Sequence, residues 1–291
     1  MSVTALVSAA SCGVTVSSLS LTLASKRPTV LAECDVKGGT IRAGFLGGQV
    51  AAGFGLYHLA AAERTGPEAF AHAFASHLWA IDPDGHRKVL AGLTDPAQAS
   101  SLTRTWAALA DVLHVMSDQA GHDVFIDAGR LALDAGRLHP TLSPAPLLYE
   151  ADLVLLTVRG TEQNLALARH LIEPLRNELT EHGSGPDALG LLLIEGGPYR
   201  AHQVADALKT PVLAALPHDR DTADYLTNGG HPPRGYARSA LLRHARTATE
   251  QLEAVAQRRR IQQQWPARPA DPRVAGVLER LTDGPRGGGR G

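Results

Sequence analysis

Five consecutive residues, Ser11, Cys12, Gly13, Val14 and Thr15, lie between an apolar run (Ala5, Leu6, Val7) and a helical pattern. Leu19, Leu21, Leu23 and Ala24 are that pattern's candidate buried positions. Small residues at such a junction can present successive backbone N–H groups, and the dipole of the following helix adds partial positive charge. The chemistry this suits is the holding of a polyphosphate. Thr15 occupies the position whose hydroxyl would ligate Mg²⁺. Two carboxylates stand where further strands should end. Glu33-Cys34-Asp35 follows an apolar run at residues 29–32, and Asp127 closes one at residues 123–127. An acid at a strand's carboxyl end can orient a water or a magnesium ion beside a phosphate.

The loop has the layout of a Walker A motif with its lysine missing. Such a motif carries Lys and then Ser or Thr after its last glycine, whereas Gly13 is followed by Val14 and Thr15. Ser8 stands where the first glycine belongs. An ordinary strand-to-helix turn of an α/β domain meets the same description. Asp127-Ala128-Gly129-Arg130 has the form of a Walker B segment, and a carboxylate emerging from a buried strand is costly unless it is paired or faces a site. Arg130 is a candidate partner that would make Asp127 purely structural. Asp35 equally suits the cap of a turn, Glu33 suits a solvated position, and Lys37 is a candidate substitute cation.

The elements that must position these residues follow from composition and periodicity. The chain has 291 residues, 44% of them apolar and only 4% aromatic, so Leu, Val and Ala must build the core. That bias suits helices packed on a parallel sheet. Short apolar runs at 4–8, 29–32, 78–81, 89–93, 123–127, 152–158, 189–194 and 211–216 predict strands. Helical patterns lie near 15–25, 48–64, 97–119, 161–181, 199–208 and 236–263. The alternation predicts an α/β fold, a mostly parallel sheet with helices on both faces, with ligands at the carboxyl ends of the strands. In helix 97–119 the spacing puts Leu102, Trp106, Leu109, Leu113 and Met116 on one buried face.

Charge and cysteine usage exclude several classes. The net charge of −1 argues against a body devoted to nucleic acid, and no run approaches the ~20 apolar residues of a membrane span. Cys12 and Cys34 make no CxxC pair, so a reducing cytoplasm is the expected compartment. The thirteen histidines lack zinc-ligand spacing. No Lys or Arg precedes the first apolar stretch, which is also short, and both features argue against an export signal there.

The order of these pieces resembles the MinD/ParA family of deviant Walker A ATPases over roughly residues 3–255. Residues 11–18, with Val16 in the first helical turn, stand on that family's phosphate loop, and Glu33-Cys34-Asp35-Val36-Lys37-Gly38 stands on its switch segment. The resemblance puts Asp35 on the water-orienting aspartate and Asp127, with Thr15, on magnesium. Residues 211–219 are similar to the family's last strand and its Pro-x-Asp loop, so Pro217, His218 and Asp219 are expected beside the nucleotide base, with a helix and turn following at residues 223–230. The departures are Val14 in place of the catalytic lysine and Ala9 in place of the signature lysine. The resemblance implies ATP and Mg²⁺ as cofactors and a homodimer. It also implies a protein partner in intracellular positioning, chromosome partitioning, or pilus or secretion assembly. The lost cations imply weak or absent hydrolysis. Two alternatives stay open: a scaffold that binds no nucleotide, and an active ATPase in which Lys26, Lys37 or a partner's Arg supplies the charge.

The P-loop domain is expected to span residues 1–257. From Arg258 onward eight Arg and three acidic residues give a net +5, leaving −6 for the body. Residues 258–291 read as a basic Pro/Gly/Arg tail, largely disordered, with a short amphipathic helix at 272–282. Any contact with nucleic acid or membrane is expected only through this tail.

Overall fold

A computed structural model describes residues 1–263. The chain enters through β1 (Val3–Ser8), turns into α1 (Val14–Ala24) and returns through β2 (Thr29–Glu33). Next come α2 (Leu59–Thr65), α3 (Pro67–His77) and the antiparallel pair β3 (Leu78–Ala80) and β4 (Arg87–Leu90). Helix α4 (Thr105–Asp118) leads to β5 (Asp123–Arg130), a small hairpin β6 (Leu133–Asp134) and β7 (Arg137–Leu138), and α5 (Ala145–Tyr149). The remainder alternates: β8 (Leu153–Arg159), α6 (Glu162–His182), β9 (Leu189–Glu195), α7 (Ala201–Leu208), β10 (Val212–Pro217), α8 (Arg220–Asn228) and α9 (Ala240–Gln263).

Eight strands form one sheet in the order β10-β9-β8-β1-β5-β2-β4-β3, parallel throughout except at the β4–β3 edge. Alternation along each strand divides the core in two. Val3, Ala5, Val7, Val124, Ile126, Val154 and Leu156 belong to the apolar layer that also holds Trp106, Leu113 and Leu175 of α4 and α6. Leu6, Leu31, Phe125, Leu153 and Leu155 belong to the layer holding Leu19 and Leu21 of α1 and Leu241, Ala245 and Leu252 of α9. The period of two then dictates that Glu33, Asp127 and Arg159 emerge on the α1 face at the carboxyl ends of their strands. In-register pairing of Glu33 with Asp127 sets those two carboxylates side by side.

Each expected strand forms, within three residues of its predicted limits. The expected helix at 48–64 does not. Gly53 and Gly55 keep its first half irregular, and the helical residues are α2 and α3, parted by Gly66-Pro67, a residue pair that ends one helix and starts the next. Helix 97–119 also divides. Asp95 and Gln98 form a capping box on a short 3-10 turn at Pro96–Leu102, and α4 starts after it. The hairpin β6–β7 turns through Ala135 and Gly136, both at positive φ, and carries no apolar alternation that sequence could show.

The basic run at residues 258–260 belongs to α9, as the helical pattern at 236–263 predicts, and two of its three arginines contact the body. Arg259 is buried and donates to the carbonyls of Asp152 and Ser184, and Arg260 grips the Asp152 carboxylate through Nε and Nη2, both at 2.7 Å. The expected amphipathic helix at 272–282 lies outside the described residues. Among the described residues no helix is long and apolar enough to cross a membrane.

Candidate functional site

Gly13 is the N-cap of α1 and takes a left-handed conformation (φ 99°), which a residue with a Cβ adopts only under strain, and so lets the chain turn from β1 into the helix. The first N–H used by the helix is that of Ser17, bonded to the Gly13 carbonyl at 2.9 Å. None of the backbone N–H groups of residues 11–16 donates to another described residue. Helix starts always leave some donors open, but here Ser11 and Cys12 extend the open set back into the loop. Ser11, Cys12, Gly13, Val14, Thr15 and Val16, the residues expected to hold a phosphate, thus form a run of N–H groups with no acceptor among the described residues.

The side chains within it divide. Ser11 is exposed. Val14 is buried and lies in the apolar layer with Ile41, Leu46 and Val50. Cys12 is buried, and its Sγ donates to the Thr157 carbonyl at 3.0 Å. Burial pushes its thiol up to about 11, so it stays protonated and unreactive at neutral pH.

One flank of the loop is acidic. Asp127 is fully buried, with Oδ1 accepting from Gly129 N at 3.0 Å and Oδ2 without a hydrogen-bond partner. Burial pushes its carboxyl up to about 7, the approach of the Thr15 hydroxyl pulls the other way, and the neighbouring Glu33 and Asp35 add to the rise. Arg130 makes no ion pair with it among the described residues, which corrects the structural pairing that sequence left open. Asp35 caps its own turn by accepting from Lys37 N at 2.8 Å. It also packs on Gly129, whose added Cβ would come within 2.1 Å of the Asp35 Cγ. Glu33 is not solvated. Its Oε1 accepts from Thr40 N and Ile41 N and its Oε2 from Gly92 N, at 2.6, 2.9 and 2.8 Å. Thr15, Asp35 and Asp127 thus meet on one flank, and Asp127's unpartnered buried oxygen beside a hydroxyl is a donor set that fits a hard divalent cation such as Mg²⁺.

The other flank opens on a cavity of about 190 Å³ lined by Cys12, Gly13, Val16, Arg159, Pro217, His218 and Asp219 among others. Loop and C-terminal segment are more than 200 residues apart in sequence, and the structure brings them together. Asp219 is committed, however, with Oδ1 accepting from Thr222 N and Oδ2 from Leu241 N, so it fixes the starts of α8 and α9. Sequence reasoning missed Arg159. A larger cavity of about 390 Å³, lined by Phe45, Leu46, Trp79 and Ile81, lies elsewhere and holds no predicted site residue.

No protein-family model matches this sequence, and no curated protein does. Solved structures do. MinD from Pyrococcus horikoshii OT3, complexed with Mg-ADP, superimposes with a TM-score of 0.63 at 15% identity, covering 89% of this chain and 99% of that one. The fold is that of the MinD/ParA ATPases. A ParA-family ATPase from Chlorobium tepidum TLS matches with a TM-score of 0.57 at 15% identity, over 86% of this chain and 98% of that one. MinD in the MinC:MinD complex from Aquifex aeolicus gives 0.60 at 13%, over 87% and 96%. The MinD/ParA-type P-loop architecture expected from sequence is therefore present across nearly the whole described chain.

Of the substitute cations proposed from sequence, Lys26 is not at the loop. Lys26 follows the far end of α1, an 11-residue helix about 16 Å long, and pairs with Glu250 at 2.6 Å. Lys37 is exposed on the acidic flank, where desolvation and Arg130 push its amine down.

Proposed function

We propose that this chain is a nucleotide-responsive P-loop protein of the MinD/ParA type whose output is a binding state and not rapid turnover. The observation that carries the reading is the run of unpartnered N–H groups at residues 11–16, flanked by Asp127 and Thr15 on one side and by residues 217–219 on the other. Thr15 and Asp127 would hold Mg²⁺, and the loop would hold the phosphates of ATP. The Mg-ADP of the similar archaeal MinD supports this assignment. A bound magnesium would neutralise phosphate charge. Asp35 would face any water beside it, while Pro217 and His218 would border the base.

With Val14 turned into the core, no loop cation neutralises charge on a terminal phosphate, so hydrolysis is very slow or absent. The protein then works as a homodimer or through a protein partner, in positioning, partitioning, or pilus or secretion assembly. The MinC:MinD complex of a similar fold supports a partner in general. The body of the protein is the P-loop domain to the end of α9, and contacts with nucleic acid or membrane belong to residues beyond it.

Equilibrium titration with a fluorescent ATP analogue and Mg²⁺ tests the reading. Saturable binding below millimolar, with phosphate release at background, is expected. Absence of saturation up to millimolar overturns it in favour of a scaffold that binds no nucleotide, a reading that the apolar burial of Val14 supports. A Val14→Lys variant should tighten binding about tenfold, the worth of one charged hydrogen bond.

A further inference from the structure

The cation absent from the loop has a counterpart at the end of β8. Arg159 closes that strand on the α1 face and lines the cavity beside Cys12, Gly13 and His218. Its backbone is fixed, with N donating to Asn164 Oδ1 at 2.8 Å, and the following Gly160 is packed so closely that an added Cβ would meet the Tyr199 carbonyl at 2.5 Å. The guanidinium therefore projects from a rigid strand end.

That guanidinium has no partner. It makes neither an ion pair nor a side-chain hydrogen bond among the described residues, and its Nε is shut off from solvent. The carboxylate lining the same cavity, Asp219, already accepts from Thr222 N and Leu241 N. Cys12, close enough to feel the Arg159 charge, is a protonated thiol that cannot neutralise it. A part-buried arginine without an anion is costly, and arginines in that position are elsewhere paired or bound to phosphate. Other part-buried arginines among the described residues are engaged, Arg87 by Asp82 and Arg260 by Asp152, or Arg42 and Arg259 by backbone carbonyls.

We infer that Arg159 is the anion-binding residue of this cavity, and that its ligand carries a phosphoryl group held between the guanidinium and the open N–H groups of the loop. The inference rests on the loop being a phosphate cradle, and it moves the charge that recognises phosphate from position 14 to position 159. The fork of an arginine suits two phosphate oxygens at once. A volume of about 190 Å³ is below the usual 300–1,000 Å³ of an enclosing ligand site, so it encloses only part of a phosphorylated molecule, or a small polyphosphate.

Calorimetric titration of the full chain with ATP, pyrophosphate and adenosine, each against wild type, Arg159→Gln and Arg159→Lys, tests this. Arg159→Gln should weaken ATP and pyrophosphate by about tenfold or more, Arg159→Lys by about threefold because it keeps charge and loses the fork, and neither should change adenosine. Pyrophosphate and ATP weakened alike assign the ligand to its phosphates; ATP weakened with pyrophosphate silent in wild type assigns it to a nucleotide. If ATP binds wild type and Arg159→Gln equally, the inference fails while the nucleotide site stands. If no phosphorylated probe binds wild type, both fail. Should Arg159→Gln not fold, Arg159→Lys decides: equal affinity overturns the inference. Wild-type affinity should also fall with added salt.

Discussion

Strand β8 runs between two opposite arrangements of charge. Just before it, Asp152 accepts from Val3 N at 2.8 Å, takes Arg260 on both oxygens at 2.7 Å and lends its carbonyl to Arg259. Arg260 goes on to Asp118 through Nη1 at 2.7 Å. At its end, Arg159 has no partner, and across the loop Asp127 keeps a buried oxygen unbonded. The Asp152 carboxylate before the strand is engaged on both oxygens, whereas the arginine after it stands open beside a run of unused N–H donors. Unmade interactions in a folded protein are destabilising, so an open arginine, an open carboxylate oxygen and open N–H groups around one loop mark a place suited to something that binds. The comparison separates residues that hold the fold from residues that wait for a ligand, without reference to any motif.

The largest effect should come from the paired edge. Asp152→Ala removes the acceptor for Arg260 and for Val3 N and leaves two part-buried groups unsatisfied. Breaking such a pair costs several kcal/mol when buried, and the partial exposure of Arg260 lowers this to about 2–4 kcal/mol. For a chain of this size the melting temperature should drop by roughly 5–10 °C. Urea denaturation showing less than about 0.5 kcal/mol would remove the basis for calling this edge the structural one.

At the open edge the sign reverses. Asp127 is held with its carboxyl up at about 7, above its unfolded value of about 3.9, so the folded state binds the proton more tightly. Stability from this group is full below about pH 4 and is lost as pH rises toward 7. Asp127→Asn should therefore raise the melting temperature of the unliganded protein at pH 7.5 by about 5 °C, on the order of 2 kcal/mol, and change it little near pH 4. A loss of stability at pH 7.5 would show that Asp127 is a structural acid and break the contrast.

How much of this could be read in advance depends on how local each signal is. The strands were legible because buried parallel strands leave apolar runs of four to seven residues. The loop was legible because a glycine before a helix and an apolar strand before it are neighbours in sequence. Asp127 is legible for the same reason, at a strand end, and Asp219 is legible only through the family resemblance of residues 211–219. Arg159 also ends a strand, but it belongs to no recognised pattern, and only the cavity shows it facing Gly13 and His218. Glu33 was seen, but its partner Gly92 lies 59 residues away, so its burial could not be read. Arg259 and Arg260 looked like part of a basic tail because their acceptors lie more than 70 residues upstream. Charge runs report composition, and burial of a charge depends on long-range partners.

Glu33 sharpens the contrast by being the exception at the open edge. It is 1% exposed, yet both its oxygens are used by Thr40, Ile41 and Gly92 N–H groups. Burial raises its carboxyl, and those three donors hold it back. Its task is to pin residues 39–41, and with them the apolar cover of Ile41, Leu46 and Val50 that shelters Val14. Glu33→Gln cannot accept on both sides, because one end becomes an amide donor facing N–H. A cost of about 1–2 kcal/mol is expected, together with faster hydrogen exchange at Thr40, Ile41 or Gly92. Unchanged exchange at all three would show that the segment is held by its apolar residues alone.

The smallest expected effect tests the paired edge from within. Arg258, Arg259 and Arg260 are consecutive, so composition treats them as one basic cluster. Their environments differ by helical phase. Arg258 is exposed, and its Nε donates only to the Ala254 carbonyl one turn back, at 3.2 Å. Surface contacts of that kind contribute little. Arg258→Ala should therefore change stability by less than about 0.5 kcal/mol, while the same change at Arg260 approaches the Asp152→Ala loss. Equal losses at both positions would mean that net charge in this run, acting on the acidic body, stabilises the fold. Unequal losses would assign the stabilisation to the Asp152 pairing, and the open state of Arg159 at the other end of β8 would then be a specific vacancy of partner and not a general tolerance of unpaired arginine.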